Sequence, residues 1–299
     1  MSMKRNKWSI VTTVILMILL LVGLSVMLYP TISDWWNDRV QTKVISTYQE
    51  VVAQMDDSEK EEILAAAHAY NEALYSLSAP LSDYAEIEGY EETLDISGTG
   101  VMGYITIDKI NVVLPIYHGT SAEVLNIAVG HMQGSSLPVG GENTHAVISA
   151  HRGLPSARLF TDLDELVEGD TFTITVLDEV YTYEVETIYI VLPDEVDKLA
   201  IVSGEDYVTL MTCTPYGINT YRLLVCAHRI DTVYPNTVKI SAEAVQIDDL
   251  SVVPFVAVPL FLLLILKWIS DARRKRPNTE KIAEEIIGEF HEDKEGDGS

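Results

Sequence analysis

One cysteine and one histidine in this chain each close a run of β-type residues, where a loop begins. Cys213 ends Thr209-Leu210-Met211-Thr212 and is followed by the turn formers Pro215, Gly217 and Asn219. Arg222 then opens a second apolar run. A nucleophilic cysteine works as its thiolate, which a neighbouring cation favours over the ordinary thiol. Arg222 lies nine positions after Cys213. If residues 215–219 turn the chain back, its permanently charged guanidinium returns beside the thiol. There it could donate to the negative oxygen of a tetrahedral intermediate. The acid/base partner must come from elsewhere in the sequence. His151 is the best placed of the seven histidines, ending the run 146–150 and entering the loop Arg152-Gly153-Leu154-Pro155. Together, Cys213, His151 and Arg222 are the candidates for a nucleophile, its acid/base partner and an oxyanion donor.

Taken singly, each has a plain reading: an inert buried thiol, a structural histidine, an arginine in a surface ion pair. The second cysteine tests the combination. Arg222, Leu224 and Cys226 fall on one face of a strand. With Arg222 beside Cys213, Cys226 lies about 13 Å further along, at roughly 3.3 Å per residue. A disulfide needs Cα atoms within about 7 Å, so a Cys213–Cys226 bond and the catalytic arrangement exclude each other. Cys226 is therefore read as structural.

The elements that must position these groups are mostly strands. Short apolar runs at 104–107, 112–117 and 146–150 are separated by polar or glycine-rich turns. Residues 172–176 and 181–186 alternate with period two around Leu177-Asp178-Glu179, a hairpin signal. With the two runs that bracket Cys213, this makes roughly eight strands and predicts a closed barrel or sandwich. Upstream, 30–77 is helical in pattern. Ser58 is the expected N-cap, with Glu61 completing a capping box. Ile63, Ala67, Tyr70, Leu74 and Leu77 then form an apolar stripe. Residues 78–98, acidic and broken by Pro80, Gly89 and Gly98, read as a long loop.

Two apolar stretches frame this domain. Residues 8–29 carry no charge and are long enough to cross a hydrocarbon layer of roughly 30 Å. A cleaved signal peptide competes with that reading, but the run is long and no A-x-A site follows. Residues 252–269 reach the lower limit for a span, with Lys267 and Trp268 suited to an interface. Lys4, Arg5 and Lys7 precede the first stretch, and Arg273, Arg274, Lys275 and Arg276 follow the second. The positive-inside rule then predicts residues 1–7 and an acidic tail at 270–299 in the cytoplasm, with the intervening domain outside. The net charge of −25 comes from 45 acidic and 20 basic residues. Such a surface repels phosphate backbones, which excludes nucleic acid as a partner.

The stretch TLMTCTPYGINTYRLLV at 209–225 resembles the signature of the sortases, membrane-anchored cysteine transpeptidases of Gram-positive bacteria. The resemblance extends through AYNEAL at 69–74, VMGYI at 101–105, LPIYHGT at 114–120, GH at 130–131, SSLPVGG at 135–141 and THAVISAHRGLP at 144–155. The two spans and the Tyr-Asn-Glu helix are similar to class C, the pilin-polymerising sortases. The resemblance implies a mainly β fold. Its core is a closed eight-stranded barrel at 99–250, preceded by the helical segment 30–77 and the lid loop 78–98 and flanked by two transmembrane helices. It implies Cys213 as nucleophile, His151 as general acid/base and Arg222 as oxyanion and substrate ligand, with no cofactor and no metal. The implied substrate is an LPXTG-like sorting signal cut between Thr and Gly, and the acceptor a pilin lysine amine. Segment 78–98 departs from the family in lacking an Asp-Pro-aromatic lid motif; Asp83 and Tyr84 are the substitutes, the acid to meet Arg222 and the ring to cover Cys213. Cys226-Ala227 stands where Arg-Gly is common. His118, His131, His145 and His228 carry no catalytic role in this reading.

Three other readings compete. A sortase of another class would join surface proteins to the amine of the peptidoglycan cross-bridge. A non-catalytic β-barrel adhesin or scaffold would leave the Cys213–Arg222 spacing and His151 as coincidence. A metal held by His151 and Cys213 would have two ligands and none of the clustered spacing of zinc sites.

Overall fold

The computed structural model describes residues 3–232 and Ile265. The chain divides into two compact units, Met1–Val238 and Lys239–Ser299. Apart from Ile265, the expected second span at 252–269 lies outside the described residues, as do residues 233–250 and the tail at 270–299.

The first helix, α1, is continuous from Met3 to Val52. The expected span at 8–29 and the segment after it are therefore one rod, with Pro30 inside it rather than at a break. Its apolar part is long and hydropathic enough to cross a membrane, and none of that window is buried against the protein. Helix α2 covers Asp57–Tyr75. Its N-cap is Asp56, whose carboxylate accepts from the Glu59 amide at 2.9 Å, and not Ser58 as expected from the sequence. Aspartate caps as well as serine does, and Asp56 holds the extended conformation that a cap requires. The expected stripe is present: Ala67, Tyr70 and Leu74 are buried, and Ile63 and Leu77 pack on the same core. Asn71 fastens the helix to the barrel as a backbone mimic. Its Nδ2 donates to Leu137 O and its Oδ1 accepts from Leu137 N, at 3.1 and 2.7 Å.

Eight strands follow: β1 Val101–Ile107, β2 Val112–His118, β3 Val129–His131, β4 Thr144–Ser149, β5 Thr171–Val176, β6 Glu179–Val191, β7 Asp206–Thr214 and β8 Tyr221–Ile230. They close a barrel in the order β1-β2-β3-β4-β7-β8-β6-β5, as the sequence predicts. The β5–β6 hairpin turns at Leu177-Asp178, with Val176 opposite Glu179. Strands β4 and β7 run parallel, and β7 and β8 antiparallel. This trio carries the site.

Alternation sorts the trio's side chains into two layers. Ala146, Ile148, Val208, Leu210, Leu223 and Val225 enter the main core inside the barrel. Val147, Leu224 and Cys226 belong to a second, smaller cluster on the outer face. Leu199, from the β6–β7 connection, and Leu81, from the 78–98 segment, cover that cluster.

Candidate active site

The β7–β8 register sets Cys213 directly opposite Arg222. Opposed residues of an antiparallel pair have Cα atoms about 5 Å apart. Both side chains are half-buried and share the outer-face parity of Met211 and Leu224. The turn at 215–220 does what its composition promises: the Ile218 and Asn219 amides both donate to Pro215 O, and Asn219 adopts φ +61°.

His151 joins from the other side of Cys213. Ser149 of β4 is in register with Met211 of β7. β4 ends there, but the Ala150 amide still donates to Met211 O at 3.1 Å, and the same register continued past the strand's end would bring His151 level with Cys213. Two side-chain contacts hold that alignment. Before the pair, Thr212 Oγ1 donates to Ala150 O at 2.8 Å. After it, Arg152 Nη1 reaches Thr214 Oγ1 at 3.4 Å while Nη2 pairs with Asp164 Oδ2. The Arg152 side chain is nearly buried, and its Nε lies buried without a partner. The loop after His151 returns at once, with the Phe160 amide donating to His151 O at 3.3 Å. At Gly153, φ is +78° and a Cβ would meet the Tyr216 ring at 3.0 Å, so the β4–β5 and β7–β8 loops touch there.

Cys213 thus lies between Arg222, opposite it on β8, and the chain that leaves the end of β4 toward His151. The Arg222 guanidinium is turned onto its own loop, donating to Asn219 O at 3.4 Å and Tyr221 O at 3.2 Å. Both of these bonds come from Nη1, on the loop side of the guanidinium.

A row of side chains lies four residues down β7. The Thr209 hydroxyl sits between Cys226 Sγ, at 3.2 Å, and His145 Nε2, at 2.7 Å. His145 Nδ1 lies 2.9 Å from Ala200 O in the β6–β7 connection. Both cysteines are free, and Cys226 is paired in register with Thr209, not with Cys213. Burial pushes the Cys226 thiol up and the His145 imidazole down from their ordinary values. Cys226 is therefore a buried, hydrogen-bonded thiol, as the strand register implies.

Asp83 ends a short helix, α3 Pro80–Asp83, and Tyr84 opens the turn after it. This turn is seated on Gly134, where an added Cβ would meet Tyr84 Cδ1 at 2.8 Å and Leu81 Cα at 3.2 Å. Leu81 reaches the outer cluster that includes Met211 and Leu224. These are the neighbours of Cys213 and Arg222 on the same face, so the segment lies alongside the candidate site. Among the described residues no ion pair joins Asp83 to Arg222.

The sequence did not single out Arg152, Thr212 or Thr214, whereas His145 is the structural histidine expected. An arginine directly after the candidate histidine, and threonines on both sides of the candidate cysteine, were the available signal. Their meaning depends on β4 and β7 being neighbours.

A family model described as "Sortase domain" matches residues 105–230. The chain is 47% identical to the crystal structure of sortase C1 from Streptococcus agalactiae, covering 64% of this chain and 100% of that one with a TM-score of 0.59. A sortase C from Clostridium perfringens, solved with the C-terminal cell wall sorting motif, is 44% identical, covering 64% of this chain and 100% of that one with a TM-score of 0.56. The curated "Sortase A" of Streptococcus agalactiae is 33% identical over 117 residues, 38% of this chain and 47% of that protein. The chain spans about half the length of the curated relatives it matches.

Proposed function

Because this chain belongs to the sortase family, we propose that it is a class C transpeptidase, anchored in the membrane, that joins pilin subunits through a thioacyl intermediate. The observation that supports the reading best is Arg222 directly opposite Cys213 in the β7–β8 pair, with His151 two residues past the end of the neighbouring β4 and the other thiol hydrogen-bonded to Thr209.

In this reading Cys213 Sγ attacks the threonine carbonyl carbon of an LPXTG-like signal. Arg222 leaves its loop carbonyls and donates to the oxygen that becomes negative. His151 gives a proton to the departing glycine nitrogen, so the Thr–Gly bond breaks and a thioester remains. A pilin lysine amine then attacks the thioester. His151 takes up the amine proton, and Cys213 leaves as the thiolate when the isopeptide bond is complete, which restores the starting protonation of the pair. Arg152, Thr212 and Thr214 act as positioning residues: they fix the alignment of the two strand ends and touch no substrate. Segment 78–98 serves as a lid seated beside the site.

Likeness to sortase C structures supports the pilin-joining class, and the chain's apolar first helix supports the anchor. The test is incubation with a sorting peptide and either a pilin-type lysine peptide or a cross-bridge amine. A thioacyl adduct on Cys213 and transfer to lysine are expected, with no adduct in Cys213→Ala. An adduct on Cys226, or transfer to the cross-bridge amine alone, overturns the corresponding part.

A further inference from the structure

The rod α1 does more than leave the membrane. One to two turns beyond the apolar segment it grips the loop that follows His151. Asn37 Nδ2 donates to Ser156 O at 2.5 Å, and the Arg158 amide donates to Asp34 Oδ1 at 2.8 Å. Ser156 and Arg158 lie five and seven residues after His151, in the loop that Phe160 closes back onto His151 O. A turn later, Gln41 Nε2 donates to Ile127 O at 2.6 Å. Between Asp34 and Asn37 stand Trp35 and Trp36, both largely exposed, and the Arg39 guanidinium lies 4.4 Å above the Trp35 ring. Exposed tryptophans just past an apolar span belong at headgroup depth. The same turn of helix therefore turns two indoles outward and binds the active-site loop with the residues on either side of them.

We propose that α1 is a ruler: it holds the His151–Cys213 site at a fixed height above the bilayer, so the chain selects sorting signals by the length between their scissile bond and their own membrane anchor. This rests on the transpeptidase reading above. The occupant of the Trp35–Trp36 surface is the lipid headgroup layer, because the helix that bears it runs uninterrupted into the apolar segment.

The geometry sets the scale. At 1.5 Å rise per residue, Asn37 stands about 12 Å beyond Tyr29, the end of the apolar segment. Pro30 lies inside the helix, and any bend lowers that height. The five residues from Ser156 back to His151 add at most about 17 Å. The site therefore sits no more than roughly 30 Å above the hydrocarbon edge. An extended substrate chain, at roughly 3.3 Å per residue, covers that height in about nine residues or fewer. A shorter tether cannot reach, and a much longer one dilutes the signal at the site.

The experiment places the full-length chain in lipid vesicles with a model substrate anchored by an apolar helix. The spacer between the sorting motif and that helix is varied from about two to sixteen residues. Cleavage is expected to peak at a spacer of about nine residues or fewer. A helix-forming heptad inserted between Thr31 and Ile32 raises the catalytic unit by about 10 Å and keeps the helix face within about 20°. It is expected to move the peak about three residues longer, with cleavage of a soluble sorting peptide unchanged. Rates that do not depend on spacer length in the unmodified chain overturn the ruler, and so does a peak that the heptad leaves in place. If the unmodified chain does not cleave the soluble peptide either, it is the transpeptidase reading that fails.

Discussion

Gly134→Ala tests whether the 80–84 turn is a lid. Gly134 adopts φ +94°, and an added Cβ would approach Tyr84 Cδ1 to 2.8 Å, Leu81 Cα to 3.2 Å and Pro80 O to 3.3 Å. The tyrosine ring can swing away, but the other two atoms are backbone and move only if the turn lifts. Overpacking of this kind costs about 1–3 kcal/mol. The cost is felt when the turn is seated and is relieved when it is not, so the open-to-seated ratio should rise about 5- to 150-fold, at about 1.4 kcal/mol per factor of ten. If the seated turn shields Cys213, the rate of Cys213 alkylation by iodoacetamide, followed by mass spectrometry, should rise toward that range. Cys226 is an internal reference, because it is buried and its thiol is pushed up. Gly169→Ala controls for backbone strain alone: its φ is +88° and nothing lies within 4 Å of the added methyl. A Gly134→Ala rate within twofold of the unmodified chain, in protein that remains folded, would refute the lid.

Arg222→Ala should lower both hydrolysis and transfer of a sorting peptide by about 10²-fold or more; unchanged kcat removes it from the oxyanion role. Tyr48→Phe should cost about 3 kcal/mol. The buried Tyr48 hydroxyl donates to Met102 O and accepts from the Leu177 amide, and both would lose their partner. In thermal unfolding this is a fall of roughly 6–12 °C, whereas Tyr104→Phe, at an exposed hydrogen bond, should change little. Burial pushes His131 down to about 4. The unfolded chain therefore takes up a proton below about pH 6.5 that the native state refuses until about pH 4. Stability should fall across that window by roughly 3 kcal/mol. In His131→Gln this part of the slope should disappear, and an identical slope would contradict the assignment.

What the sequence disclosed followed from local rules. Residues 172–176 and 181–186 alternate with period two, and they are β5 and β6. A nine-residue spacing across a Pro/Gly/Asn turn put Arg222 opposite Cys213, and a hairpin register is set by its turn. The same strand arithmetic separated Cys226 from Cys213. Strand β3, Val129–His131, went unseen because three residues are too few to alternate. Ser58 and Asp56 are equally good caps, and sequence pattern alone does not choose between them. The clamps from Thr212 to Ala150 and from Arg152 to Thr214 were hidden because they join segments 62 residues apart, and no local signal announces which strand lies beside which.

That long separation governs when the active site comes into being. Cys213 and Arg222 belong to one hairpin, whose closure encloses only a few residues and is fast and cheap in chain entropy. His151 reaches the thiol only after β4 lies parallel to β7, a pairing that must first close a loop of some 60 residues. Non-local parallel contacts form slowly. A folding chain would therefore bring Cys213 and Arg222 together well before His151 joins them. The three candidate groups meet only when the barrel is nearly complete, so their meeting reports on the fold as a whole.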